Sequence, residues 1–117
     1  MDHTTVRDRW DALFRVLSSR LRRTLLIKLC EPPPDAWLRL PEAVMSGQFA
    51  GTKAVLTVEL QHNHLPKLAE LGYLEWKSDP FVATRGPHFN EVASILLAIG
   101  NQRDTLPTSL TAECDWL

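Results

Sequence analysis

The sequence predicts a mostly α-helical domain that carries one small β-hairpin. Apolar residues recur every three or four positions over most of the chain, which is typical of amphipathic helices. Prolines and glycines separate these segments, and the pattern changes to strict alternation after Gly72. The 117 residues are 44% apolar and 23% charged, which is the usual size and balance of one globular domain.

The first two predicted helices follow each other closely. Residues 4–17 form the first one, because their apolar side chains fall on a single stripe: Val6, Trp10, Leu13, Phe14 and Leu17. Ser18 and Ser19 are suitable N-caps for a second helix that continues to about Cys30. The three consecutive prolines that follow Glu31 must end this helix, since proline lacks a donor and clashes with the preceding turn.

A short third helix and a long fourth one are predicted next. Pro41 favours the first position of a helix that ends near Gly47. Thr52 is a suitable cap for a fourth helix that reaches Leu71 and ends at Gly72. Pro66 lies inside this segment, so we expect one continuous helix with a kink, or else a break near Asn63 that places Pro66 in the first turn of a new helix.

The last part of the chain is predicted to contain a hairpin, a helix and a tail. The hairpin covers residues 73–84, with a turn at residues 78–80. Asn90 would cap a final helix that reaches Ile99 and is apolar on most sides, so it needs cover from more than one neighbour. We therefore predict a domain over residues 1–100 and a polar tail over residues 101–117 that is flexible or docks on a partner.

Helices followed by a two-stranded hairpin are the order of a winged helix-turn-helix domain. In such a domain the helix over residues 52–71 would be the recognition helix, and the hairpin over residues 73–84 would be the wing. A helix fits the major groove of DNA, where the base edges are distinguishable. This order therefore predicts a small DNA-binding transcriptional regulator.

A helical wheel of the fourth helix predicts which side faces the core. At about 100° per residue, Leu56, Leu60, Leu65 and Leu68 share one broad stripe with His64. His62 lies outside that stripe and would point outward. We therefore expect His64 to satisfy a backbone group in the core.

The predicted DNA contacts combine base readers with phosphate partners. Asparagine pairs with adenine, imidazole reaches phosphate, and glutamate accepts from cytosine, so His62, Asn63 and Glu59 are the candidate readers. The candidate phosphate partners are Arg20, Arg22, Arg23, Lys53, Lys67, Lys77 and Arg85. The net charge of −1 and the carboxylates of Glu59 and Glu70 favour the alternative of a winged helix that binds another protein.

Other classes of function find little support in the sequence. The chain has no phosphate-binding loop, nucleophile elbow or paired zinc-binding histidines, so we expect neither an enzyme nor a cofactor. His62 and His64 are two residues apart, which places them on different helix faces, and we expect no metal site. No apolar run approaches the roughly 20 residues of a membrane span, and the N-terminus lacks a signal sequence, so the expected location is the cytoplasm.

Two stretches resemble a known family. The residues Leu17-Ser18-Ser19-Arg20-Leu21-Arg22-Arg23-Thr24-Leu25-Leu26 are similar to the opening helix of ArsR-like winged-helix regulators. The residues from His62 to Glu75, with the run His-Leu-Pro-Lys-Leu, are similar to the recognition helix and first wing strand, above all in uncharacterised ArsR-like domains of halophilic archaea.

The resemblance implies a homodimer on double-stranded DNA. Members of the family commonly pair through their terminal helices, and the apolar helix predicted after Asn90 suits that role. The implied dimer interface comprises Val6, Trp10, Val92, Ile95, Leu96 and Ile99. The metal-sensing members carry cysteines in or near the recognition helix, whereas this chain has none there.

Overall fold

The computed structural model describes residues 3–45 and 51–112. They form a mostly helical fold with a small three-stranded antiparallel sheet. The helices and strands in chain order are α1 (His3–Leu17), α2 (Arg20–Cys30), β1 (Leu38–Arg39), α3 (Lys53–Glu59), α4 (Leu65–Glu70), β2 (Leu74–Ser78), β3 (Phe81–Arg85), α5 (Phe89–Asn101) and α6 (Thr108–Thr111). Short 3-10 turns cover Glu42–Val44 and Arg103–Thr105, and one π-helical turn covers Leu60–His64.

The core lies where α2 meets the helical segment that runs from α3 to α4. The sheet and α5 close it with residues such as Leu74, Ala83 and Val92. Its fully buried leucines are Leu25, Leu26, Leu29, Leu56, Leu60, Leu65, Leu68 and Leu74. Burying a leucine side chain contributes about 1.5–3 kcal/mol, so these residues dominate the hydrophobic stabilisation of the fold.

Helix α2 begins and ends where the sequence predicts. The Ser19 side chain accepts a hydrogen bond from the backbone N–H of Arg22, which confirms the predicted N-cap. The helix ends at Cys30, directly before Glu31 and the prolines. The side chain of Arg23 donates to the carbonyl of Leu17 and so satisfies an acceptor at the end of α1.

The predicted fourth helix is one unbroken helical segment with a distortion before Pro66. Thr52 caps it by accepting a hydrogen bond from the backbone N–H of Val55 at 3.1 Å. Its π-helical turn is closed by the N–H of Leu65, which donates to the carbonyl of Leu60. Because Pro66 has no N–H and its ring crowds the preceding turn, the wider turn relieves the clash that a regular helix would contain.

The end of this segment also follows the prediction. Gly72 adopts a φ of 78°, which is the left-handed conformation that favours glycine. The N–H of Tyr73 donates to the carbonyl of Leu68 at 3.0 Å, which is the long bond of a Schellman cap. The cap turns the chain directly into β2.

The predicted third helix is wrong in extent. Only one 3-10 turn, Glu42–Val44, follows Pro41, and Gly47 lies outside the described residues. The N–H of Leu40 donates to the carbonyl of Phe81, so the chain is held against the sheet until just before the turn. At Met45 the backbone already leaves helical geometry.

The sheet has one strand more than the predicted hairpin. Strands β2 and β3 lie within one residue of the predicted bounds and pair with Trp76 opposite Ala83. Strand β1 adds to the free edge of β3, with Leu38 opposite Ala83, and gives the order β1-β3-β2. A two-residue strand is too short to show alternation, which is why the sequence does not reveal it.

The C-terminal part begins earlier and is more regular than predicted. Helix α5 starts at Phe89, so Asn90 lies inside its first turn and does not cap it. Beyond Asn101, the 3-10 turn and α6 occupy part of the predicted tail, and Arg103 donates to the carbonyl of Thr111 at 3.0 Å. Residues 113–117 lie outside the described part. Within residues 3–45 and 51–112, no helix is long and apolar enough to cross a bilayer.

Candidate nucleic-acid interface

The segment from α3 to α4 presents one buried face and one open face. The leucines at positions 56, 60, 65 and 68 point inward and are fully buried. His62 is exposed, Asn63 is half-buried, and His64 is only 8% exposed. The predicted orientation of the two histidines is therefore confirmed.

The predicted hydrogen bond between His64 and a backbone group is wrong for its Nδ1 atom. Its Nδ1 atom is buried and has no hydrogen-bond partner among the described residues, so the expected bond to a backbone group is not seen there. Burial lowers the pKa of His64, and the positive charge of Arg22 lowers it further. Both effects favour the neutral imidazole.

The charges at the start of the open face are partly neutralised within the protein. The ammonium of Lys53 lies 2.7 Å from a carboxylate oxygen of Glu42, and this pair fastens α3 to the 3-10 turn before it. The hydrogen bond from Lys53 lowers the pKa of Glu42. Glu59 is exposed on the same face. Lys53 therefore contributes less positive potential than the sequence predicts.

Two exposed valines on this face were missed by the sequence analysis. Val55 is 54% exposed and Val58 is 56% exposed, on the first turns of the segment. Apolar side chains in the major groove contact the methyl group of thymine. On the same helical wheel Val55 lies clear of the leucine stripe, so its exposure could have been inferred, whereas Val58 lies next to Leu65 at the edge of the stripe and its exposure could not.

Two of the predicted phosphate partners hold the fold together. Arg85 donates to the carbonyls of Leu29, Cys30 and Pro32 at 2.8, 3.1 and 3.0 Å, which satisfies the end of α2. Arg23 is engaged at the end of α1 as described above, and burial lowers its pKa. We therefore leave both arginines out of the candidate interface.

The remaining cations lie in three places. Arg20 is exposed on the first turn of α2. The ammonium of Lys77 sits 4.5 Å from the ring centre of Trp37, close to the hairpin turn, where it forms a cation–π contact. Arg22 and Lys67 line a groove between α1, α2 and α4.

The predicted dimer interface is only partly exposed. On α1, Val6 and Trp10 are 40% and 44% exposed, and Trp10 stacks on Phe14 with 5.7 Å between ring centres. On α5, Ile95 and Ile99 are half-buried.

Two predicted interface residues on α5 must be removed from this surface. Val92 and Leu96 are buried in the core of the protomer, because α5 turns these side chains toward α2 rather than toward solvent. Glu91 lies beside Ile95 and accepts hydrogen bonds from Arg9, which ties α5 to α1. The apolar surface that is left belongs mainly to α1.

The part of the chain that the structure describes contains no candidate metal-binding site. Within it, no group of three or more histidine, cysteine, aspartate or glutamate side chains is placed to hold an ion. The Cys30 thiol donates to the carbonyl of Leu26 at 3.4 Å, and burial raises its pKa, so it packs as a small apolar group.

Comparisons with known proteins do not narrow the function. No family model matches the chain, and no match was found among curated proteins or solved structures. The function is therefore inferred from the geometry of the chain's own residues.

Proposed function

We propose that this protein is a winged helix-turn-helix regulator that binds double-stranded DNA as a homodimer. The helical segment from Lys53 to Glu70 enters the major groove, and the hairpin of β2 and β3 is the wing. The observation that carries the proposal is the division of this segment into a leucine face held by the core and an opposite face open to solvent. The long segment passes directly into the hairpin at Gly72, as the arrangement requires.

The reading face is the solvent-exposed side of the segment from Val55 to Asn63. His62 and Asn63 supply polar groups that suit a base or a phosphate, and Val55 and Val58 supply methyl groups for thymine. Glu59 accepts from the amino group of cytosine. Lys53 and Arg20 contribute to backbone contacts, as does Lys77 on the wing.

Dimerisation is assigned to α1 with the exposed edge of α5. Val6, Trp10 and Phe14 follow each other at intervals of four residues, which gives an apolar strip along the outside of α1. A groove of about 260 Å³ separates this strip from Ile95 on α5. A second copy of the chain would cover the strip and place two reading faces on one duplex.

A protein-binding module remains the second candidate. It is favoured by the exposed valines of α3 and by the internal pairing of Lys53 with Glu42, because both make the reading face less positive. Such a face would receive an apolar surface of another protein rather than a phosphate backbone.

Fluorescence anisotropy with labelled duplexes separates the two candidates. The wild-type protein is expected to bind a mixed pool of genomic duplexes with an affinity that falls strongly as the salt concentration rises. Fragments that it binds specifically are then selected from this pool and used as probes. Replacing both His62 and Asn63 by alanine should weaken specific binding by about tenfold or more, the loss of roughly one good base contact. Asn90→Ala on α5 removes an exposed amide elsewhere and should leave the affinity unchanged. Absence of binding at every salt concentration would exclude the DNA proposal.

A further inference from the structure

A second concave surface lies beyond Asn63, toward the C-terminal end of the same helical segment. It is a groove of about 450 Å³ between the end of α1, the start of α2 and the C-terminal half of the long helical segment. Val16 and Leu71 contribute apolar walls. The volume falls within the range of sites that hold small organic molecules.

The groove is lined mainly by positive charge. Arg15 comes from α1, Arg22 from α2 and Lys67 from α4, so three helices each contribute one cation. Glu70 is the one carboxylate in the lining, and among the described residues none of the three cations forms a salt bridge. The formal charge of the lining is therefore strongly positive, although the whole chain carries −1.

Arg22 lacks a partner that the fold itself would normally supply. Its Nε atom is buried and makes no hydrogen bond to any described residue. A buried N–H group without an acceptor costs free energy, and in native proteins such a group is commonly satisfied by an ordered water or an ion. Nε itself is shielded from solvent, so the part of Arg22 that lines the groove is what can donate charge-assisted hydrogen bonds to an anion there.

We propose that this groove binds a small organic phosphate, such as a sugar phosphate, whose phosphate group is held between Arg15, Arg22 and Lys67. Three cations against one carboxylate match a phosphate monoester, which carries about two negative charges near neutral pH. The lining has a formal net charge of +2, and a ligand with a single carboxylate would neutralise only half of it. The apolar walls next to the cations suit the organic part of the ligand.

The position of the groove suggests a regulatory role, and that role alone rests on the proposed DNA function. Lys67 belongs to the same helical segment as the reading face, while Arg15 and Arg22 belong to the two preceding helices. A phosphate held by all three fixes the segment relative to α1 and α2. Occupancy of the groove would thereby restrict the movement of the reading face relative to α1 and α2.

Isothermal titration calorimetry without DNA tests the site independently of the proposed function. The probes are ribose 5-phosphate, inorganic phosphate and unphosphorylated ribose, at constant ionic strength in a chloride buffer. We expect saturable binding of ribose 5-phosphate with a Kd of about 1 mM or below. Inorganic phosphate should bind more weakly, and ribose should not bind. Absence of saturable heat with ribose 5-phosphate, or equal heat with ribose, would refute the proposal.

Variants then locate the binding. Arg22→Gln should weaken binding by about tenfold or more, as expected for the loss of charged hydrogen bonds. Lys67→Gln should also weaken it, whereas Glu70→Gln should strengthen it, so the proposal stands or falls on opposite effects even where Arg22→Gln does not fold. Arg39→Gln removes an exposed cation outside the groove and is the matched control.

Duplex DNA is the other source of phosphate. If Arg22→Gln and Lys67→Gln weaken binding to DNA while ribose 5-phosphate does not bind, the groove receives the DNA backbone and the small-ligand proposal is wrong. If the wild-type protein does not bind DNA at all, the proposed function is wrong, but the calorimetric test of the groove keeps its meaning because it uses no DNA.

Discussion

Replacing Arg85 by methionine should destabilise the fold without removing a DNA contact. The guanidinium group donates to three backbone carbonyls at the end of α2, and its carbon atom lies 5.1 Å from the ring centre of Phe89. Methionine keeps most of the aliphatic stem but has no donor. The three carbonyls then lose their partner where α2 leaves the core and enters the proline run.

The size of the loss follows from these contacts. A hydrogen bond to a charged group contributes about 1.5–3 kcal/mol net. The three bonds share one half-buried side chain, and the carbonyls regain water in its absence, so their contributions do not add. We expect a decrease of about 3 kcal/mol in the free energy of unfolding, which is a large share of the 5–15 kcal/mol typical of a domain.

Urea denaturation followed by circular dichroism measures this loss. With a slope of about 2 kcal/mol per molar urea, the midpoint should fall by about 1.5 M. The urea midpoint of Arg85→Lys should lie between those of the wild type and Arg85→Met, because one ammonium group cannot reach all three carbonyls in the same geometry. Arg39→Met removes an exposed cation from the neighbouring strand β1 and should leave the midpoint unchanged. A variant with wild-type stability and reduced DNA affinity would show that Arg85 contacts phosphate after all.

Two further predictions concern His64 and the dimer. Because the pKa of His64 is lowered in the folded state, the unfolded chain binds the proton more readily, and stability should fall as pH decreases below the unfolded value of about 6.5. His64→Gln should flatten the stability profile between pH 7 and 5, whereas His62→Gln at an exposed position should not; equal profiles would contradict the burial of His64. In light scattering, the wild-type protein should have the mass of a dimer. Replacing Trp10 and Phe14 by serine should give monomers, with Leu110→Ser on α6 as the exposed control, and a monomeric wild type would remove the interface.

The features that depended on local sequence were predictable. The leucine face, the caps at Ser19 and Thr52 and the left-handed Gly72 each follow from residue type and spacing within one helix. The hairpin bounds followed from alternation around a turn. The outward orientation of His62 followed from the same wheel that placed His64 inside.

The features that depend on contacts between distant segments could not be predicted from the sequence. Strand β1 exists because two residues pair with β3, which is more than forty positions away and gives no local signal. Arg85 looked like a free cation because its three acceptors lie on a different element. Val92 and Leu96 looked available for a partner, since periodicity shows only that a helix is apolar on several sides and not which sides its own fold covers.

The groove also depends on tertiary structure. Arg15, Arg22 and Lys67 belong to three separate helices, and their spacing in the sequence gives no reason to group them. Arg22 and Lys67 were predicted as separate phosphate contacts, while Arg15 was not singled out. Only the packing of α1 and α2 against α4 brings the three together.

The most direct test of the central claim is an amide chemical-shift titration of the isotope-labelled protein with a generic DNA duplex at low salt. The account predicts that the largest shifts fall on Val55, Val58 and His62, with smaller shifts on the hairpin. Amides of α1 should stay unchanged. Shifts confined to α1 and α5, or none at any duplex concentration, would show that the open face of the long helical segment does not bind DNA.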